Sequence, residues 1–344
     1  MSLWQEKNVE ERQAMLQGAS SKTGIGEIAV EKDWWVTVTL KALFATSFAP
    51  YLLFKGGTSL SKGWKDSGLK RFSEDIDISL SRQWFVRDDE SREKYNFAKC
   101  ENNQQIKLLR KASRKVVIEV LSAQLEQELS HMSVVDFNID REPAGNTASD
   151  ADPTVICVNY QSILEGKDEY VSHNVKIEIS CLSMDEPFET RDITSLICDT
   201  FPSADNESAC CIPTVLPVRT FLEKAFLLNE EYQKPHPRSH RMSRHLYDLE
   251  KLMNHYAGKA LADDELYNKI IAHRKRFYHV GAVDYTTDRK ASIRICPPEE
   301  LAKAYREDYK KMRESFIYEQ SPLDYDELIE RLSLLQDAFR QSAE

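Results

Sequence analysis

The feature that most constrains the fold is a glycine pair between a short apolar run and two closely spaced aspartates. The run covers residues 51–54, Gly56 and Gly57 follow it, and Asp75 and Asp77 come later in an alternating polar and apolar stretch. A short apolar, aromatic run predicts a buried strand, and glycines directly after it predict a tight turn. The sequence therefore predicts a strand, a turn, a helix and a second strand.

The turn has the composition of a phosphate-binding loop. Glycine lets the backbone approach a ligand closely, and the exposed amide groups at a helix start favour a triphosphate. Thr58 or Ser59 is expected to cap the helix that follows. Residues 55–59 therefore form a candidate nucleotide-binding loop.

The aspartate pair predicts a metal site. On a strand, Asp75 and Asp77 point to one face, and Ile76 and Ile78 point to the core. Two adjacent carboxylates repel unless a cation lies between them, and magnesium prefers such oxygen ligands. Two ions about 4 Å apart would activate the attacking hydroxyl and stabilise the leaving pyrophosphate. The alternative is an edge strand with acids on its solvent face, but the glycine turn upstream favours the metal site.

A third carboxylate is expected from a neighbouring strand. Residues 174–180 alternate cleanly, with Glu178 on the face opposite to Ile177 and Ile179. Lys176 shares the face of Glu178, so a Lys176–Glu178 surface pair is the alternative.

Four segments resemble the AbiEii/MenT family of nucleotidyltransferase toxins from bacterial toxin-antitoxin systems. The glycine loop with the aspartate strand provides the first similarity. The four segments, in the expected order, are Val30–Val36, Lys55–Lys62 with Arg71–Asp77, Thr220–Ala225 and Arg244–Leu249. The resemblance covers roughly residues 28–255, and periodic stretches at 299–316 and 324–341 lie beyond it.

The resemblance implies roles for individual residues. Ser73 and Asp75 would belong to the active site, Asp77 would complete the metal pair, Lys224 would contact nucleotide phosphates, and Asp248 would be a further essential acid. The catalytic set is then Asp75, Asp77, Glu178, Lys224 and Asp248, with Asp75, Asp77 and Glu178 as metal ligands. The nucleotide-binding set is Lys55, Gly56, Gly57, Thr58, Ser59, Arg71, Ser73 and Lys224.

The pattern around the last two residues gives no such role by itself. Lys224 lies on an amphipathic helix, where a lysine ordinarily extends along the surface. Asp248 has Arg244 four residues before it and Lys251 three after, which is typical of a solvated helical ion pair.

Composition excludes several classes of protein. The chain of 344 residues has no apolar run long enough to cross a membrane and no signal-peptide pattern, so a cytoplasmic protein is expected. Its seven cysteines lack metal or disulfide spacing, and reduced thiols are expected.

The charge distribution bears on nucleic-acid binding. The net charge of -10 argues against a generic nucleic-acid surface. Basic residues nevertheless outnumber acidic ones between Arg219 and Arg313, with clusters at 234–245 and 273–279. Basic and aromatic side chains together could bind RNA. The alternative is a solvated helix face.

A coarse reading gives the architecture. Helices are predicted at residues 3–17, 27–48 and 101–130, the last as one helix or two, and strands at 134–139, 154–160 and 171–180, with a turn at 143–153. A proline-containing loop at 200–217 precedes a mostly helical remainder. The fold class is α+β: a nucleotidyltransferase domain with a mixed sheet over residues 1–205, then a helical domain over 206–344 that completes the active site.

The function expected from the resemblance is transfer of a nucleotide from a nucleoside triphosphate, with magnesium, to RNA. The acceptor would be the tRNA 3′ end, the outcome a block of translation, and a cognate antitoxin the protein partner. The alternatives are nucleotidylation of a protein or small molecule, or a non-catalytic module that binds nucleotide or RNA.

Overall fold

The computed structural model describes residues 3–95, 100, 102–143, 148–164, 172–278 and 280–343. Val171, His279 and part of the turn at 143–153 lie outside these residues. The chain divides into two compact units, residues 1–63 with 73–214, and residues 64–72 with 215–344. The segment 64–72 thus packs with residues that are far away in the sequence. The boundary between residues 205 and 206 stays a prediction.

The first unit combines helices with a sheet. Its helices are α1 (Val9–Thr23), α2 (Glu27–Leu43), α3 (Gly56–Gly63), α4 (Asp89–Tyr95), α5 (Asn103–Val116), α6 (Ser122–His131) and α7 (Leu196–Thr200). Its strands are β1 (Leu52–Lys55), β2 (Ile76–Leu80), β3 (Phe137–Asp140), β4 (Thr154–Tyr160), β5 (Asn174–Ser180), β6 (Phe188–Ile193) and β7 (Cys210–Val215).

The described strands form one mixed sheet in the order β3-β4-β5-β2-β1-β7-β6. Strand β2 is antiparallel to β1 and parallel to β5, and β4 is antiparallel to β3 and β5. The isoleucines at positions 76, 78, 177 and 179 are fully buried, because alternate residues of β2 and β5 face the core. The predicted mixed sheet with flanking helices is confirmed.

Several predicted boundaries shift. The first helix begins at Val9, and the side chain of Asn8 caps it by accepting a hydrogen bond from the Glu11 amide. Before this helix, Trp4–Glu6 form a 3₁₀ turn. Helix α2 ends at Leu43, and β2 begins at Ile76, so Asp75 precedes the strand that was expected to contain it. A π-helical turn at residues 117–121 joins α5 to α6, so the predicted long helix is continuous.

The proline-containing region at 200–217 is not a plain loop. Residues 210–215 form β7, which pairs in parallel with β1 through Phe54 and Thr214. The Pro213 in this run argued against a strand, since proline cannot donate to a ladder. Within the same region, the buried carboxylate of Asp205 accepts hydrogen bonds from the Trp4 amide at 3.0 Å and the Trp34 indole at 2.8 Å. Residues 205–214 of this region therefore pack within the first unit.

The described part of the second unit is helical, as predicted. Its helices are α8 (Pro217–Glu231), α9 (Ser243–Ala262), α10 (Asp264–Phe277), α11 (Glu299–Ser315) and α12 (Tyr325–Gln341). Helix α9 packs against α8, α10, α11 and α12 and is the centre of the unit. Pro217 is the first residue of α8, a position where its missing N–H leaves no hydrogen bond unmade.

The second unit buries one carboxylate that is poorly matched to its surroundings. Asp288 is fully buried; its Oδ1 accepts a hydrogen bond from Asn229 at 2.8 Å, whereas its Oδ2 has no partner among the described residues. Burial raises the pKa of Asp288 to about 7, the hydrogen bond from Asn229 opposes this, and the nearby Glu230 adds to it.

We expect Asp288→Asn to stabilise the protein above pH 7 and to have little effect near pH 4. The unfolded chain releases the proton near pH 4 and the folded one near pH 7, so stability falls as the pH rises through this interval. The gain at pH 8 should be about 2–4 kcal/mol. Urea unfolding at pH 5 and pH 8 measures it, and an equal effect at both values would contradict the assignment.

Candidate active site

Three charged residues lie side by side across the middle of the sheet. The register places Lys55 of β1 opposite Asp77 of β2, and Asp77 opposite Glu178 of β5. Directly opposed residues share a face and lie close together. The predicted Asp77 and Glu178 are therefore brought together, with a predicted nucleotide-binding lysine beside them.

Gly56 is fitted to the carboxylate of Asp77. Its φ of +81° lies in the left-handed region, and a Cβ built on it would lie 2.0 Å from Asp77 Oδ2. Only glycine allows this contact, since any side chain would displace the carboxylate. The glycine turn therefore sets the position of Asp77 at the first turn of α3.

The hydroxyl residues after the glycines hold the loop together. Helix α3 begins at Gly56, so the expectation that Thr58 or Ser59 caps it is wrong. Ser59 is fully buried and donates to the Gly56 carbonyl at 2.9 Å. Thr58 Oγ1 lies 2.9 Å from Ser73 Oγ and donates to the Asp75 carbonyl at 2.5 Å, which ties the segment before β2 to α3.

Lys176 forms an ion pair with Glu178, as the alternative interpretation of this strand predicted. Partial burial by itself would lower the pKa of Lys176. The pair with Glu178 and the charges of Asp75 and Asp77 outweigh burial, and the pKa is raised. The lysine therefore lies in the field of all three predicted metal ligands.

The donor set has the chemistry of a magnesium site, because carboxylate oxygens are the ligands that this ion prefers. Across the described ranges, no three His, Cys, Asp or Glu side chains are arranged to hold a metal ion. Asp77 and Glu178 are paired in register, whereas Asp75 lies just before β2. The three-ligand site stays a prediction.

Two buried ion pairs, which sequence reasoning missed, connect α2 to α3 and to the segment just before β2. Lys32 of α2 lies 2.7 Å from Glu74, next to Asp75, and both side chains are buried. The adjacent Asp33 pairs with Lys62 of α3 and accepts a hydrogen bond from the Leu196 amide at 2.8 Å. Three consecutive charges in an apolar helix, residues 31–33, are the signal that could have found them, since buried charges require partners.

The second unit contains a separate charged cluster around Asp248. The Arg71 guanidinium donates to both carboxylate oxygens, at 2.6 and 2.8 Å, and Lys224 Nζ lies 2.8 Å from Oδ2. Asp248 is fully buried, and Arg71 and Lys224 are nearly so. The interpretations of Lys224 as a surface lysine and of Asp248 as a solvated pair with Arg244 and Lys251 are therefore wrong.

The segment that contains Arg71 is fixed in the second unit by its backbone. The Phe72 amide donates to the Phe316 carbonyl at 2.7 Å, and the Tyr318 amide donates to the Lys70 carbonyl at 3.0 Å. The Lys70 amide donates to the Tyr247 hydroxyl at 3.1 Å. Arg71 is thus held by main-chain bonds as well as by its own carboxylate partner.

Burial and the neighbouring charges together shift the pKa values in the cluster. Burial would raise the pKa of Asp248, but the charges of Arg71 and Lys224 outweigh it and lower the pKa. Burial lowers the pKa of Lys224, and Asp248 only partly compensates. His245 is buried beside these cations, its pKa is well below the usual range, and it is neutral at pH 7.

Some residues of the two basic clusters serve the fold. Lys234 and Arg238 both pair with the buried Glu231, at 2.6 and 2.9 Å, and Arg274 is buried against Glu230. Other basic side chains are exposed, namely His236, His240, Arg241 and Lys275.

The structure combines a glycine loop, carboxylates paired in register and an α+β architecture. Residues 39–331 match the family described as nucleotidyl transferase AbiEii toxin, type IV TA system. The chain belongs to this family and is therefore an enzyme, a nucleotidyl transferase. It is the toxin of a toxin-antitoxin system, and a toxin of this type implies a partner antitoxin. A search of curated proteins finds no match.

The extent of the match differs from the expected one. It begins within α2, after the segment 30–36, and it includes α11 and part of α12, which were expected to lie beyond it. The helices between residue 255 and residue 331 therefore lie within the family match. None of the helices in the described ranges has the length and apolarity to span a membrane.

Proposed function

We propose that the protein transfers a nucleotide from a nucleoside triphosphate to the 3′ end of tRNA in the cytoplasm and so blocks translation. The observation that supports nucleotidyl transfer is the row of Lys55, Asp77 and Glu178 beside Gly56, whereas the tRNA acceptor is what the family resemblance implies. A cation-binding pair of carboxylates next to a glycine turn suits a triphosphate and its leaving pyrophosphate.

Asp75, Asp77 and Glu178 would hold magnesium, with two ions expected. When bound, the metal supplies charge neutralisation at the transferred phosphate and lowers the pKa of an attacking hydroxyl. Lys55, the amides of Gly56 and Gly57, and Ser73 would orient the triphosphate. Ser59 fixes the shape of this loop through its hydrogen bond to the Gly56 carbonyl, and Thr58 ties the loop to Ser73 and Asp75.

The Asp248 cluster would contribute positive charge. Arg71 and Lys224 together exceed the charge of Asp248 by one, and a fixed excess of positive charge stabilises a phosphoryl group without reorganisation. Asp248 then acts as a positioning residue, because both of its oxygens are occupied by these two cations. The exposed His236, His240, Arg241 and Lys275 would contact RNA phosphates.

The test supplies total RNA, magnesium and each α-labelled nucleoside triphosphate in turn. We expect label in RNA of tRNA size with one of the four nucleotides. Periodate treatment of the RNA beforehand should abolish labelling, because it destroys the terminal 2′,3′-diol. Label in protein or in small molecules would favour the other acceptors, and no consumption of any triphosphate would favour a binding module.

A further inference from the structure

Lys176 lies where a metal cofactor would neutralise the acids. Its side chain is 42% exposed and is paired with Glu178, which is 26% exposed. Both residues lie on one face of β5, two positions apart, so the pair follows from the strand geometry. The ammonium group of Lys176 therefore pairs with Glu178, one of the carboxylates predicted to bind the metal ion.

Two lysines partly offset the charge of the predicted metal ligands. Asp75, Asp77 and Glu178 contribute three negative charges, and Lys55 opposite Asp77 and Lys176 beside Glu178 contribute two positive ones. Adjacent carboxylates are costly unless a positive charge separates them. The first unit therefore supplies its own cations to this row.

We propose that Lys176 is a positioning residue that competes with the divalent cation for Glu178. In the metal-free protein it holds Glu178 and neutralises the row, and it leaves Glu178 when the cation binds. The affinity for the cation is consequently set below what the carboxylates alone would give. This inference rests on the proposed metal site of the nucleotidyltransferase.

The test measures Mn²⁺ binding to the full chain by calorimetry, without nucleotide. Lys176→Met should bind the ion about tenfold more tightly than the unmodified protein, because a unit charge a few ångströms away is removed. Lys176→Arg keeps the charge and should bind within about twofold. Lys115→Met, which breaks the exposed pair between Lys115 of α5 and Glu119 of the π-helical turn, is the matched control and should change nothing.

Thermal unfolding gives a second readout that a purely structural lysine would not produce. Metal-free Lys176→Met should melt at a lower temperature than the metal-free unmodified protein. The diagnostic result is that saturating Mn²⁺ should raise the melting temperature of Lys176→Met by more than it raises that of the unmodified protein. Lys176→Gln, which can still donate a hydrogen bond to Glu178, replaces it if the methionine variant does not fold. Equal Mn²⁺ affinities of the neutral variants and the unmodified protein would overturn the inference.

Asp77→Asn separates this inference from the proposed function. If it abolishes Mn²⁺ binding while Lys176→Met binds like the unmodified protein, the metal site stands and the competition is wrong. If Asp77→Asn binds Mn²⁺ as the unmodified protein does, the metal site itself is wrong, and the inference falls with it.

Discussion

Asp77→Asn is expected to lower the rate of nucleotidyl transfer by about 10²- to 10³-fold while leaving the fold intact. An effect of this size is typical when a group that stabilises charge at the reacting atoms is removed. Asparagine has nearly the shape of aspartate and still fits against Gly56. It lacks the negative charge that lies opposite Lys55 in the sheet and that would bind the cation. Single-turnover transfer of labelled nucleotide to RNA measures the rate, and circular dichroism checks the fold.

Asp140→Asn provides the matched control. Asp140 is a half-buried aspartate at the end of β3, in the same sheet, and its carboxylate accepts a hydrogen bond from the Glu142 amide at 3.0 Å. Its register through Cys157 places it on the sheet face of Lys176, but it is not one of the residues proposed to hold the metal or the triphosphate. Transfer should therefore fall far less than for Asp77→Asn. Equal rates for Asp77→Asn and the unmodified protein would show that the row is not the catalytic site.

The part of the site that could be predicted from the sequence is local. The alternation in β2 and β5 gives the shared face of Asp77 and Glu178, and the glycines mark the turn at Gly56. These features depend on residues a few positions apart, where backbone geometry alone determines which side chains meet. Alternation in β5 places Lys176 and Glu178 on one face, and this is equally consistent with Glu178 as a metal ligand and with a Lys176–Glu178 surface pair. The sequence therefore could not show that the ion pair lies in the predicted metal site.

The part that could not be predicted depends on long-range pairing. Arg71 and Asp248 are 177 positions apart, and each belongs to a segment that is ordinary by itself. Their burial becomes favourable only once both are in place, because a buried charge without its partner is costly. The strand β7 was missed for a related reason, since its pairing with β1 outweighs the local effect of Pro213.

Asp248→Ala tests the buried cluster, and the matched control is Asp326→Ala. Both oxygens of Asp326 also accept hydrogen bonds from one arginine, the two terminal nitrogens of Arg306, at 2.5 and 2.7 Å, but Asp326 is exposed. An exposed pair contributes little, because water solvates either partner when the other is removed. The two variants therefore compare a two-hydrogen-bond arginine pair in buried and exposed surroundings, within one unit.

We expect Asp248→Ala to lower the free energy of unfolding by about 3–5 kcal/mol, because it leaves Arg71 and Lys224 buried without their shared counter-ion. The folded-state pKa of Asp248 lies below its unfolded value, so the stabilisation is fully present above about pH 4 and is lost only as the pH falls towards the folded-state pKa. Urea unfolding should therefore show a deficit at both pH 5 and pH 8. The deficit should be larger at pH 5, because without Asp248, burial lowers the pKa of Lys224 further and charging this lysine is most costly at low pH. Lys224→Met in the Asp248→Ala background should recover part of it, since one unpaired buried charge is then removed. A deficit no larger than that of Asp326→Ala would mean that Asp248 does not anchor the two cations.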